Sequence, residues 1–190
     1  MKGSSMSTEG LEAARRKMEE AGVAAPAVEV FSNFYKQLES GATGIIREDS
    51  ITPLLDPPKL DDVEISDDDA RAALDKLVVI KLNGGLGTSM GLDRAKTLLE
   101  VRDGENFLDL IVKQVLSARQ RYHVRLPLLF MTSFRTDADT VEYLSKYPEL
   151  ATSDLPLTFL QNQEPKLRAD DLTPVEWPDD PSQEWCPPGH

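Results

Sequence analysis

Leu82-Asn83-Gly84-Gly85-Leu86-Gly87-Thr88-Ser89-Met90-Gly91 places four glycines in ten positions directly behind an apolar run. A loop this stripped of side chains lets backbone N–H groups approach a bulky anion, and glycine adopts positive φ without steric cost. The chemistry this suits is the cradling of a nucleotide phosphate. Spacing separates the ways of building such a cradle. A Walker-type loop requires a lysine and then serine or threonine behind its last glycine, and no Gly-Lys-Ser or Gly-Lys-Thr occurs in the chain. A dinucleotide fingerprint, G-x-G-x-x-G, started at Gly85 meets Met90 where its third glycine belongs, with Gly91 one position late. A plain strand-to-helix turn seldom uses more than one or two glycines, so the excess points to close backbone approach.

Such a loop needs a strand before it and a sheet around it. Leu77-Val78-Val79-Ile80 predicts a short strand buried on both faces. Residues 107–122 carry Leu108, Ile111, Val112, Val115 and Leu116 at helical spacing. Residues 126–132 predict a second buried strand, 137–147 a second helix and 157–160 a third strand, which together make a doubly wound α/β pattern. Ahead of these, residues 7–20 place Leu11, Ala14 and Met18 on one helical face. Pro26 opens a second helix closed by Gly41, and its apolar set Val30, Phe31, Phe34, Tyr35 and Leu38 predicts core packing rather than a partner groove. Residues 42–65, with Pro53, Pro57 and Pro58, read as an irregular connector, and Ser66 as the N-cap of a short helix through Leu74. From Gln161 onward periodicity is lost across six prolines, yet Trp177 and Trp185 remain, so this stretch reads as an internal, site-lining loop.

A net charge of −12 argues against nucleic acid or an anionic membrane surface as the main partner. No run reaches the roughly eighteen apolar residues of a membrane span, and MKGSSMSTEG lacks the apolar core of a secretory signal. The single cysteine, Cys186, cannot form an internal disulfide and fits a reducing compartment, so a cytoplasmic location is expected. The acids of 61–69 show no metal-ligand spacing. Asp137 and Asp139 read as an N-cap and a first-turn acid, and His123 as a partner of a helix C-terminus.

LNGGLGTSMGLDRAK resembles the signature of the eukaryotic-type UTP–glucose-1-phosphate uridylyltransferases, the UDP-glucose pyrophosphorylases, including a lysine five residues after the last glycine, Lys96. NFLDLIVKQV, LLFMTSFRTDADT, FLQNQEPKL and WCPPGH are similar to further family segments in the same order, over about residues 30–190. The LDRA stretch departs from the family forms while the lysine keeps its place.

The resemblance implies an α/β fold: the Rossmann-like, glycosyltransferase-A-like nucleotidyltransferase sheet, incomplete here and preceded by an N-terminal helical extension. Residues 1–65 would be that extension and its connector, and 66–190 the first part of the UTP-binding domain. It implies a nucleotidyltransferase that moves the uridylyl group of UTP to glucose 1-phosphate, giving UDP-glucose and pyrophosphate. By position, Leu82, Asn83, Gly84 and Gly85 would contact the uridine and phosphates, and Lys96 the triphosphate as the catalytic lysine. Gln161 would bond the uracil edge, Gly189 would pack on the base, and His190 would meet the glucosyl phosphate or the sugar. Magnesium is the implied cofactor. Its ligand aspartate is expected downstream, because the family pattern continues past PPGH, and no metal ligand is expected within these residues. On the same ground the chain reads as an N-terminal fragment, inactive alone and short of sheet partners, with homo-oligomerisation left open. Two other readings stand beside it: a non-catalytic nucleotide-binding or interaction module, and a related UDP-sugar or UDP-N-acetylhexosamine pyrophosphorylase. The absence of arginine from LNGGLGTSMG favours the glucose enzyme.

Overall fold

A computed structural model describes residues 3–86, 91, 94–152 and 154–188. Its helices are α1 (Gly3–Glu20), α2 (Ala25–Glu39), α3 (Asp67–Leu74), α4 (Phe107–Tyr122) and α5 (Asp137–Leu144). Its strands are β1 (Val79–Asn83), β2 (Glu100–Arg102), β3 (Glu105–Asn106), β4 (Leu128–Thr132), β5 (Thr158–Leu160), β6 (Glu164–Pro165) and β7 (Trp185–Cys186). The chain divides into two units, Pro58–Gln161 and Met1–Pro57 with Asn162–His190.

In Pro58–Gln161, β1, β4 and β5 form a parallel sheet in that order, with Val79 facing Leu128 at one end and Asn83 facing Thr132 at the other. Parallel neighbours cannot be joined by a hairpin, so the chain crosses over through α4 and then α5. Leu108, Val112 and Val115 of α4 close on Leu128 and Phe130 of β4, together with Leu144 and Leu150. Ser66 caps α3 as expected, its hydroxyl accepting the Asp69 N–H at 3.1 Å.

Several boundaries differ from the sequence reading. The first strand starts at Val79 rather than Leu77, and it is not buried on both faces: Ile80 and Leu82 are 54% and 46% exposed. The alternation is the reason: Val79, Lys81 and Asn83 share the covered face, while Ile80 and Leu82 point to the face that no described residue seals. The second strand starts two residues late because Leu126 takes φ +32°, which breaks extended backbone. The second helix stops at Leu144 with Ser145 as its C-cap, shortly before Pro148, whose ring disfavours helical backbone at Tyr147 (φ −120°, ψ 66°). Asp137 is also not the N-cap; Thr136 is, and the Asp137 carboxylate accepts the Thr132 hydroxyl at 2.6 Å.

The start of α4 is tied to the region beyond α5 through one buried carboxylate. Asp109 completes a capping box with Asn106 and accepts the hydroxyls of Tyr143 and Tyr147, each at 2.7 Å. Lys146 adds an ion pair at 2.7 Å. Burial alone would push the Asp109 carboxyl up, but hydrogen bonds from Lys146, the Asn106 N–H, Tyr147 and Tyr143 outweigh it and hold the group well below the usual carboxylate range. Burial, and then the bond to Asp109, pushes the Tyr147 phenol up to about 12. A carboxylate with a lowered folded value stabilises above its unfolded pKa of about 3.9, and that contribution is lost as pH falls below it. The neutral phenol stabilises below about 10 and loses its contribution as pH rises from there towards 12. We expect Asp109→Asn to reduce unfolding stability by about 2 kcal/mol at neutral pH and by much less at pH 3, because Lys146 is left half-exposed rather than sealed in. Urea unfolding at the two pH values checks this; equal losses at both would contradict the ionic account.

In the other unit, α1 and α2 pack Ala14 and Met18 against Val28, Phe31 and Tyr35. The expected apolar set on α2 is therefore split. Phe31 and Tyr35 are buried, whereas Val30, Phe34 and Leu38 are 51%, 62% and 49% exposed. Both rows repeat every four residues, but they lie about 100° apart round the helix, and only one can face α1. The stretch after Gln161 is folded rather than loose. β6 and β7 pair antiparallel, Leu167 bridges to Pro174, and Leu167, Leu172 and Trp185 pack on the helical core. Tyr35 donates its hydroxyl to the Leu172 carbonyl at 3.0 Å, and Lys17 donates to the Val175 carbonyl at 3.0 Å while pairing with Glu184. Arg168 is paired with Asp170 at 2.7 Å and Asp171 at 3.5 Å, so its charge is largely spent locally. No helix among the described residues is long and apolar enough to cross a membrane.

Candidate functional site

In open α/β sheets the crevice beyond the carboxyl ends of the strands is where ligands bind. Here β1 ends at Asn83, and β5 ends one residue before Gln161. The glycine loop leaves the sheet at this edge, and its first residues are held from several sides.

Asn83 is 4% exposed, and both ends of its amide are committed inside the protein. Its Nδ2 donates to Thr140 Oγ1 at 2.8 Å, and its Oδ1 accepts the Thr97 hydroxyl at 2.6 Å. The side chain is thus a brace inside the protein. Its carbonyl accepts the Thr136 hydroxyl at 2.7 Å, and the Gly84 carbonyl accepts the Ser133 hydroxyl at 2.9 Å. The Gly85 carbonyl accepts the Lys96 N–H at 3.2 Å, and Leu86 bridges to Ala95, so the far end of the loop folds back beside its start. Lys96 opens the 3-10 turn Lys96–Leu98 with its side chain exposed.

Gln161 continues β5, its N–H donating to the Thr132 carbonyl at 2.8 Å. Its side-chain amide lies over Gly84 so closely that a Cβ there would sit 2.3 Å from Nε2 and 2.9 Å from Cδ. Glycine at this position is what admits the amide. Both Oε1 and Nε2 are buried, with no hydrogen-bond partner among the described residues. A buried polar group left in that state costs about 1–3 kcal/mol, and each such group in a native fold calls for a partner.

The structure therefore brings together six of the residues singled out from the sequence: Leu82, Asn83, Gly84, Gly85, Lys96 and Gln161. Gly189 and His190 lie outside the described residues, as do Gly87, Thr88, Ser89 and Met90 of the loop. Sequence reasoning missed Thr97, Ser133, Thr136 and Thr140. Their signal was the spacing of Ser133, Thr136 and Thr140, which puts three hydroxyls on one face of a helix start. No three His, Cys, Asp or Glu side chains converge as a metal site among the described residues. What the arrangement offers is a backbone wall, one extended cation and one amide presenting a donor beside an acceptor. Those groups can hold and orient an anion that carries a hydrogen-bonding ring.

A family model described as UTP–glucose-1-phosphate uridylyltransferase matches residues 28–190. The chain is 40% identical over 148 residues to the UTP–glucose-1-phosphate uridylyltransferase of Solanum tuberosum, a match covering 77% of this chain and 28% of the relative. It is 46% identical over 118 residues to that of Saccharomyces cerevisiae, covering 62% and 23%. Among solved structures it is similar to a mutant UDP-glucose pyrophosphorylase from Leishmania major in complex with UDP-glucose, with a TM-score of 0.86 and 40% identity over 95% of this chain and 38% of that one. It is also similar to the UDP-glucose phosphorylase from Trypanosoma brucei, with a TM-score of 0.82 and 37% identity over 96% and 39%. The chain spans between 23% and 39% of the length of these relatives. The sheet and its crossovers match a nucleotidyltransferase fold along nearly the whole chain.

Proposed function

The chain belongs to the UTP–glucose-1-phosphate uridylyltransferase family, and from that premise we propose that it provides the UTP-binding part of a cytoplasmic enzyme that converts UTP and glucose 1-phosphate to UDP-glucose and pyrophosphate. The observation that carries the reading is the amide of Gln161 against Gly84, buried without a hydrogen-bond partner among the described residues. A primary amide offers one donor and one acceptor side by side, which complements O4 and N3–H of uracil. Placing the base there sets the phosphates along the glycine loop towards Lys96.

In the proposed reaction a phosphate oxygen of glucose 1-phosphate attacks the α-phosphorus of UTP in line, and the bond to the pyrophosphate oxygen breaks. The nucleophile is already ionised, so no strong general base is needed, and catalysis consists of positioning and charge neutralisation. Gly84 and Gly85 supply close-approaching backbone, Asn83 its main chain, and Leu82, half-exposed at the strand end, an apolar contact for the uridine. Lys96 places positive charge on the triphosphate. Gly189 and His190 keep the roles the family resemblance gives them, at the base and at the glucosyl phosphate. The family resemblance implies magnesium with a ligand aspartate downstream, which when bound would neutralise phosphate charge, and no three His, Cys, Asp or Glu side chains converge among the described residues.

Calorimetric titration of the chain with UTP tests the proposal. Saturable binding is expected, and its absence at millimolar UTP would remove the proposed function. Gln161→Leu should weaken UTP binding about tenfold, the worth of one or two buried hydrogen bonds, without lowering stability, since it deletes an unsatisfied amide. Unchanged affinity in this variant would take the amide out of the base site.

A further inference from the structure

We propose that Thr136 and Ser133 are positioning residues that fix the orientation of the peptide groups at the mouth of the glycine loop; the proposal rests on the UTP-binding reading above. Both residues are fully buried. Thr136 occupies the N-cap of α5 but makes no side-chain capping bond to that helix. A threonine at this position ordinarily turns its hydroxyl to the exposed N–H groups of the helix, a contact worth about 1 kcal/mol. Here the hydroxyl instead donates to the carbonyl of Asn83 at 2.7 Å, and it accepts the Ser133 N–H at 3.0 Å. Ser133 Oγ lies 3.1 Å from it and donates to the next carbonyl along, that of Gly84, at 2.9 Å. Two consecutive loop carbonyls are thus drawn towards the start of α5.

In a trans peptide the N–H points opposite to the carbonyl of the same unit. Drawing in the carbonyls of Asn83 and Gly84 therefore turns the N–H groups of Gly84 and Gly85 away from α5. Glycine has the widest conformational freedom of any residue, so two adjacent glycines would otherwise populate many orientations. The hydroxyls restrict that freedom before any ligand arrives, and a donor wall that is already oriented costs less to fill. Thr140 and Thr97 brace the same point from the side chain of Asn83, and Thr97 is the immediate neighbour of Lys96. One cluster thereby sets the loop and the lysine-bearing turn together.

The test is Thr136→Val, which keeps the shape and removes the hydroxyl, beside Thr136→Ser, which restores it. The readouts are the NMR order parameters of the Gly84 and Gly85 amides without ligand, and UTP affinity by calorimetry. In the valine variant the two amides should fall from a rigid value near about 0.85 to below about 0.6, with UTP binding weakened about tenfold, and the serine variant should recover both. Rigid amides together with affinity within twofold of the unsubstituted chain would overturn the proposal. Failure of serine to restore binding would also overturn it, because it would assign the loss to packing. Should the unsubstituted chain not bind UTP, the proposed function falls, while the ligand-free order parameters still decide the positioning role. If the valine variant does not fold, Ser133→Ala carries the same two readouts at the neighbouring carbonyl.

Discussion

Gly85→Val should raise the dissociation constant for UTP at least about a hundredfold, near 2.7 kcal/mol, while leaving the unfolding midpoint where it was. The two halves of this expectation come from the same geometry. A Cβ built on Gly85 meets no atom of the described residues within 4 Å, and the residue's φ lies outside the left-handed region. The described residues therefore leave room for the side chain, and a mild effect on stability is the rule for a half-buried substitution that disturbs no packing. The empty space is the place where a phosphate would approach the main chain. A branched side chain fills it and holds the anion away from the backbone. Calorimetry showing unchanged affinity would take the loop out of the ligand's path, whereas a large drop in stability would show that Gly85 serves the fold.

Lys96→Ala comes next in expected size. A charge-assisted hydrogen bond from an ammonium to a phosphate contributes about 1.5–3 kcal/mol, so UTP affinity should fall by roughly ten- to a hundredfold. Uridine, which carries no phosphate, should bind both forms alike. That contrast separates a phosphate contact from general damage to the pocket. In a transfer assay with the whole enzyme, loss of a charge that stabilises the transition state lowers turnover by about two orders of magnitude. Affinity for UTP within threefold of the unsubstituted chain would refute the role. Because Lys96 is held to the loop by its main-chain N–H, the alanine variant keeps the turn that carries it.

Parts of this arrangement were legible in the residues, for reasons that can be stated. The bounds of α4 were readable from the 3.6-residue period of Leu108, Ile111, Val112, Val115 and Leu116, and the structure adds a capping box of Asn106 and Asp109 at its start. Gly84, Gly85 and Lys96 declared themselves by glycine excess and by family spacing. The start of β1 was misplaced because Leu77 and Val78 look like strand interior, yet they precede the sheet and are half-exposed, while Lys81 sits inside the strand. On α2 the pattern offered two rows of equal periodicity, and only the partner helix chooses between Phe31 with Tyr35 and Val30 with Phe34 and Leu38. The hydroxyl cluster was hidden for a different reason. Thr136 and Ser133 act on carbonyls 53 and 49 residues away, and carbonyls carry no residue type to be noticed.

The helix pair has a consequence for how the chain comes to be folded. Its core is finished by Leu167, Leu172 and Trp185, and Tyr35 finds its hydrogen-bond partner 137 residues further along, Lys17 its ion-pair partner 167 residues along. At a synthesis rate of about 5–20 residues per second, that separation is a wait of roughly ten to thirty seconds. During the wait Met18, Phe31 and Tyr35 lack the segment that covers them, whereas β1, β4 and β5 have all been made by Leu160. The core of α1 and α2 is thus completed only after β1, β4 and β5 have been made. A substitution at Leu172 or Trp185 would therefore surface as a failure to close the core of α1 and α2, far in sequence from the altered residue.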